Sequence, residues 1–148
     1  MSSEPPNQPF DREYFHSGPY AKVSYGRFGQ YWWSNRYYAR LAQRHGPKQG
    51  RALEVGCGLG HLLTWLTGRY QVVGTDVNAW ALDEARRNVP HGQFFELSAQ
   101  DMHPLEDNSF QIVIAKHVIE HLPQPEQALV EFSRLLVPIS PWLRLPAF

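Results

Sequence analysis

Leu53-Glu54-Val55-Gly56-Cys57-Gly58-Leu59-Gly60-His61, followed by Val72-Val73-Gly74-Thr75-Asp76, is the stretch on which the reading of this chain turns. A short apolar run enters a turn with glycines at three alternate positions. A second apolar run then ends on a carboxylate. Glycines in such a turn permit backbone angles that a side chain forbids, and they let the main chain approach a ligand closely. The pattern predicts a strand, a loop whose amide N–H groups face a ligand, a helix opening behind it, and a second strand ending at Asp76. A carboxylate there is placed to accept two hydrogen bonds from a ribose diol, which marks the crevice as one for a nucleotide-type cofactor.

Outward from this stretch the chain alternates strand and helix. Strands are expected at residues 52–55, 71–75, 93–97 and 112–115. A first helix is expected over residues 60–67, stopped by Gly68. Asn78 can cap a helix over 79–88, with Trp80, Leu82 and Ala85 as its buried residues and Val89-Pro90 as its end. Pro125 suits the first turn of a further helix, in which Ala128, Leu129, Phe132, Leu135 and Leu136 recur on one face. Strands separated by helices imply an α/β fold with a doubly wound, Rossmann-like parallel sheet and a ligand across the carboxyl ends of the strands.

Three parts of the chain differ in composition. Residues 1–9 are polar and proline-rich and read as a disordered lead. Residues 10–50 form an aromatic-rich helical cap. Residues 51–148 are the cofactor domain. Within the cap, residues 31–45 have helical spacing, with Trp33, Tyr37 and Leu41 four apart as a packing stripe and Gly46 as the stop. The chain of 148 residues has room for one core, and its formal charge of zero gives no electrostatic footprint for nucleic acid or an anionic membrane. The single cysteine, Cys57, excludes an internal disulfide and is read as a small packing residue rather than a reactive thiol. No signal core or membrane-length apolar run is present, so a cytoplasmic protein is expected.

Spacing separates the candidate cofactors. Dinucleotide sites commonly read G-x-G-x-x-G, and a carboxylate at Glu54 would repel a pyrophosphate but suits a cationic ligand. The E-x-G-x-G-x-G of Glu54 to Gly60 resembles the first motif of the class I S-adenosylmethionine-dependent methyltransferases, whose cofactor carries a sulfonium and an ammonium group. Ser98-Ala99-Gln100-Asp101-Met102 with Asp107-Asn108-Ser109-Phe110 is similar to that family's adenine-holding segment. Ile112-Val113-Ile114-Ala115-Lys116-His117-Val118-Ile119-Glu120-His121-Leu122 is similar to its fourth strand and the loop closing over the methyl donor. The resemblance covers residues 51–138.

The resemblance implies that Glu54 and the backbone of Gly56, Cys57, Gly58 and Gly60 hold the methionine part of the cofactor, and that Asp76, with Val77 beside it, holds the ribose. Ser98 or Asp101 approaches the adenine amino group, Ala99 and Gln100 line the ring, and Lys116 joins the cofactor set at the strand end. His117, Glu120 and His121 are the implied catalytic group, acting on a small-molecule acceptor. Their H-x-x-E-H spacing also occurs in a class of zinc proteases. Leu122-Pro123-Gln124-Pro125 breaks any helix after barely one turn, so no metal is assigned.

The sequence departs from the family pattern in three places. His103 looks inserted, and Gln111 stands where aspartate is usual. After residue 138 the family's last strands are not found, although residues 142–145 can supply a fifth strand. An uncovered sheet edge is the expected consequence, and a second copy covering it would give a homodimer. The alternative readings are a non-catalytic cofactor-binding or partner-binding remnant of such an enzyme and an NAD-dependent oxidoreductase.

Overall fold

The computed structural model describes residues 28–138. In chain order they form α1 (Gln30–His45), β1 (Gly50–Val55), a 3-10 turn (Leu63–Trp65), β2 (Tyr70–Asp76) and α2 (Ala79–Asn88). Then follow β3 (Gln93–Glu96), β4 (Ile112–Ala115), a second 3-10 turn (Ile119–His121) and α3 (Pro125–Leu135). The four strands make one sheet in the order β3-β2-β1-β4, every neighbouring pair parallel. The chain steps outward from β1 to β3 and then returns to the far side of β1. Val55 stands opposite both Thr75 and Ala115, so the carboxyl ends of β2, β1 and β4 are level, and the crevice between β1 and β4 is the topological switch point.

Strand alternation sends successive side chains to opposite faces, and helices cover both. On one face Ala52 and Val72 pack with Ala39 of α1 and with Leu82 and Ala85 of α2. On the other, Leu53, Val55 and Val73 pack with Phe110 and with Ala128 and Leu135 of α3. This is the expected doubly wound α/β arrangement. Asn78 caps α2 by accepting a hydrogen bond from the Ala81 amide at 3.1 Å. Gln111, in the place of the family's usual aspartate, accepts from the Arg51 amide through Oε1 at 2.6 Å and so ties the start of β4 to β1.

Several expectations need correction. No α-helix forms over residues 60–67. Gly60 is in the left-handed region at φ 74°, and between it and Gly68 the backbone mixes bond types. Trp65 and Leu66 donate three residues back, whereas Thr64 and Thr67 donate four back. The Thr64 and Thr67 hydroxyls also bond to the carbonyls of His61 and Thr64. A helix nucleus confined between two glycines has too few residues to repay its ordering, and burial of Leu62, Leu63 and Leu66 fixes the tighter turn instead. The Trp33 and Tyr37 stripe is not core: they are 51% and 59% exposed, and α1 buries Asn35 and Ala39. In α2 it is Ala81, not Trp80, that is fully buried beside Leu82 and Ala85. The boundary set at residue 50/51 falls inside β1. Residues 1–27, with most of the aromatic stretch, and the expected fifth strand at 142–145 lie outside the described residues. Among the described strands, β4 pairs with β1 alone.

Candidate cofactor site

The glycine loop leaves β1 with Gly56, Gly58 and Gly60 all at positive φ, 66°, 49° and 74°. A side chain at Gly56 would be strained by that angle and would also run into the Val118 methyl groups, so this glycine lets the loop after β1 lie against the loop after β4. The expectation that the loop amides face a ligand needs revision. The Cys57 amide donates to the Thr75 carbonyl at 2.9 Å, the Gly60 amide to the Cys57 carbonyl at 2.9 Å, and the Gly58 amide to Asp76 Oδ2 at 2.8 Å. Asp76 Oδ1 accepts from the Asn78 amide at 3.0 Å. The carboxylate is thus the brace of the loop, and its remaining lone pairs are what it can offer a ribose. Burial raises its pKa, opposed by the amides of Gly58, Asn78 and Val77. Val77 itself is 46% exposed at the rim.

Glu54 is 4% exposed, and its Oε2 has no hydrogen-bond partner among the described residues. Burial pushes its pKa up to about 8, against the opposing charge of Lys116. Cys57 is buried between the glycines, with its thiol pKa raised by burial and then by the field of Glu54. Lys116 follows β4 and is half-buried. Its ammonium donates to Asn35 Oδ1 at 2.5 Å and lies 4.6 Å from the Tyr31 ring centre and 5.6 Å from that of Tyr38. His61, edge-on to Tyr31 at 6.1 Å, has its pKa lowered by burial and then by Lys116.

The sequence pattern names Tyr31 and Tyr38 only as aromatics of the cap and His61 only as the end of the glycine run, and it gives Asn35 no place. One signal was present: Tyr31, Asn35 and Tyr38 fall at i, i+4 and i+7, one face of a helix, with a polar residue in the middle of an aromatic stripe.

The remaining candidates are more open. Ser98 accepts from the Gln100 amide through Oγ at 3.2 Å, and Ala99 is buried. The Gln100 side chain reaches Gln127. The Asp101 side chain is exposed and pairs with His103, whose contact holds its carboxyl below the ordinary range. His117, Glu120 and His121 stand on an exposed loop. His117 has φ 56°, and its Nδ1 is 3.3 Å from Glu120 Oε1. The helical part of H-x-x-E-H is only the three-residue turn Ile119–His121, and no group of three or more His, Cys, Asp or Glu among the described residues could hold a metal ion.

Residues 53–139 match the family of the methyltransferase domain. The chain belongs to the class I S-adenosylmethionine-dependent methyltransferase family. It is 35% identical over 113 residues to sterol 24-C-methyltransferase erg6 of Schizosaccharomyces pombe, covering 70% of this chain and 29% of that protein. It is 29% identical over 102 residues to phosphatidylethanolamine N-methyltransferase of Cereibacter sphaeroides, covering 65% of this chain and 50% of that protein. Among solved structures, the PH0226 protein of Pyrococcus horikoshii superposes with a TM-score of 0.70 at 21% identity, over 86% of this chain and 62% of that one, a likeness of fold. The chain spans half or less of the length of these two curated relatives.

The residues present fit the family's cofactor. A ligand bearing an ammonium group needs an acceptor oxygen and room for close approach of the main chain. The crevice supplies a buried carboxyl oxygen without a partner and a loop of left-handed glycines.

Proposed function

We propose that this chain binds S-adenosylmethionine in the crevice between β1 and β4 and transfers its methyl group to a small-molecule acceptor. The observation that carries this reading is Glu54, a buried carboxylate oxygen without a partner beside a glycine loop braced by Asp76. Glu54 would hold the ammonium group, the loop from Gly56 to Gly60 the methionine part, Asp76 the ribose hydroxyls, and the segment from Ser98 to Asp101 the adenine. When bound, the cofactor supplies a methyl group already activated on a sulfonium. The protein's share is then to align the acceptor, exclude water and, where needed, accept a proton. His117, Glu120 and His121, on the loop after β4, are the groups proposed for that last task.

Residues 10–50 are the proposed cap and residues 51–148 the cofactor domain. Within the cap, α1 already contributes Tyr31, Asn35 and Tyr38 to the crevice. The sterol and phosphatidylethanolamine relatives, by their names, favour an apolar acceptor. A cytoplasmic setting suits the lone buried thiol. A second copy along β4 is the proposed way to cover that edge, checked by sedimentation. A second reading, a cofactor-binding protein without turnover, is favoured by the exposure of His117 and Glu120, 61% and 52% at their side chains.

Calorimetric titration tests the proposal: S-adenosylmethionine or its demethylated product should bind and NAD should not. Tight NAD binding with no response to the sulfonium compound would overturn it. Methyl transfer to any acceptor separates the enzyme from the non-catalytic reading.

A further inference from the structure

We infer that Lys116 is a resident positive charge of the crevice that sets its ligand preference, favouring the demethylated product, whose sulfur is neutral, over the sulfonium cofactor. The inference rests on the cofactor reading given above and adds to it a specificity-determining residue.

The placement follows from strand geometry. Ile112 and Ile114 of β4 pack into the core under α1, so alternation puts Lys116, two residues on, over the same face. Glu54 pairs in register with Ile114, which puts its carboxyl on that face one step before Lys116. A lysine at such a rim would ordinarily extend into water. This one is fixed by the amide oxygen of Asn35, itself only 2% exposed, and by two tyrosine faces. It leaves Glu54 Oε2 without a hydrogen bond, so it acts on the carboxylate through its field and leaves that oxygen available to a ligand's ammonium.

Cofactor and product share the amine, carboxylate, ribose and adenine and differ only in the methyl group and the charge at sulfur. A fixed cation in a half-buried crevice, where screening is weak, therefore acts against one and not the other. Asp76 is engaged by the loop's own amides and offsets this only in part, and Glu54 is taken up by the ammonium group that both ligands share.

The test is the ratio of two affinities, measured by calorimetry on the full chain. The unaltered protein should bind S-adenosylhomocysteine about tenfold more tightly than S-adenosylmethionine. Lys116→Met should close most of that gap by tightening the sulfonium compound alone, while Lys116→Arg should preserve it. Asn35→Asp, which sets a negative charge against the lysine without removing it, should shift the ratio as Lys116→Met does and stands in if that variant does not fold. An unmoved ratio in Lys116→Met, or equal changes for both ligands, would show that the lysine only packs and would overturn the inference while leaving the cofactor reading intact. Binding of neither ligand to the unaltered protein would remove both.

Discussion

The two loops that meet at the mouth of the crevice are built on opposite principles. The loop after β1 is short of side chains and rich in internal bonds. Its glycines are at positive φ, its amides are committed to Thr75, Cys57 and Asp76, and Cys57 is buried in the middle. The loop after β4 is rich in titratable side chains, and its His117–Glu120 pair lies in solvent. The first loop is a fixed cradle whose shape is set by the sheet below it. The second is anchored by Val118 and Leu122 against the core and holds its titratable side chains out in solvent. A methyl donor that needs positioning and an acceptor that varies from enzyme to enzyme would call for that division of labour.

Perturbing the fixed loop should do the most damage. Gly56→Val adds a branched side chain at φ 66° and drives it against Val118, so it should lower stability by roughly 2 to 5 kcal/mol and abolish cofactor binding. Urea unfolding with a parallel titration measures both, and an unchanged affinity would break the contrast between the loops.

Glu54 gives the next effect, through pH. Its carboxyl is raised from 4.5 to about 8 by burial, so the folded chain holds a proton that the unfolded chain has lost between those values. That stabilisation is complete below about pH 4.5 and is lost as pH rises to about 8, a decline of a few kcal/mol at most. Glu54→Gln should flatten the thermal stability profile over this window.

Asp76→Ala removes the acceptor for the Gly58 and Asn78 amides and should weaken cofactor binding by about 1 to 3 kcal/mol. Isothermal titration of the variant measures this, and a smaller loss would mean that the loop keeps its shape without the brace.

On the β4 side the smallest change should even be favourable. His117 is a non-glycine residue at φ 56°, so His117→Gly should raise stability by about 0.5 to 1 kcal/mol in chemical denaturation. If turnover falls in the same variant, the strain is retained for chemistry.

The sheet and the braced loop were legible because their signals are local. Alternating apolar strands, Asn78 before a helical run, and glycines before a strand ending in Asp76 each require only neighbouring residues. What escaped depends on distance. Asn35 and Lys116 are 81 positions apart and meet only because β4 returns beside β1, under α1. The exposed Trp33 and Tyr37 obeyed helical period, but period alone does not say which face meets the sheet. The expected first helix failed because two threonines and two flanking glycines outweighed its three leucines. The loop from Ser98 to Asp101 is legible only by resemblance, and no local pattern foretells its bonds: Ser98 to the Gln100 amide, Gln100 to Gln127, and Asp101 to His103.

Cys57 carries a further consequence. Its sulfur fills the space where a side chain on Gly74 would be: a Cβ there would stand 2.7 Å from Sγ and 2.8 Å from Phe94. The thiol is 4% exposed and burial raises its pKa, so the folded chain should be inert to thiol reagents. Because the chain has no other cysteine, any labelling reports exposure of this one position, and under conditions where the chain stays folded that means the lifting of the glycine loop off β2. The rate of that labelling is a clock for the opening of the cradle, and a ligand that slows it is one that sits there.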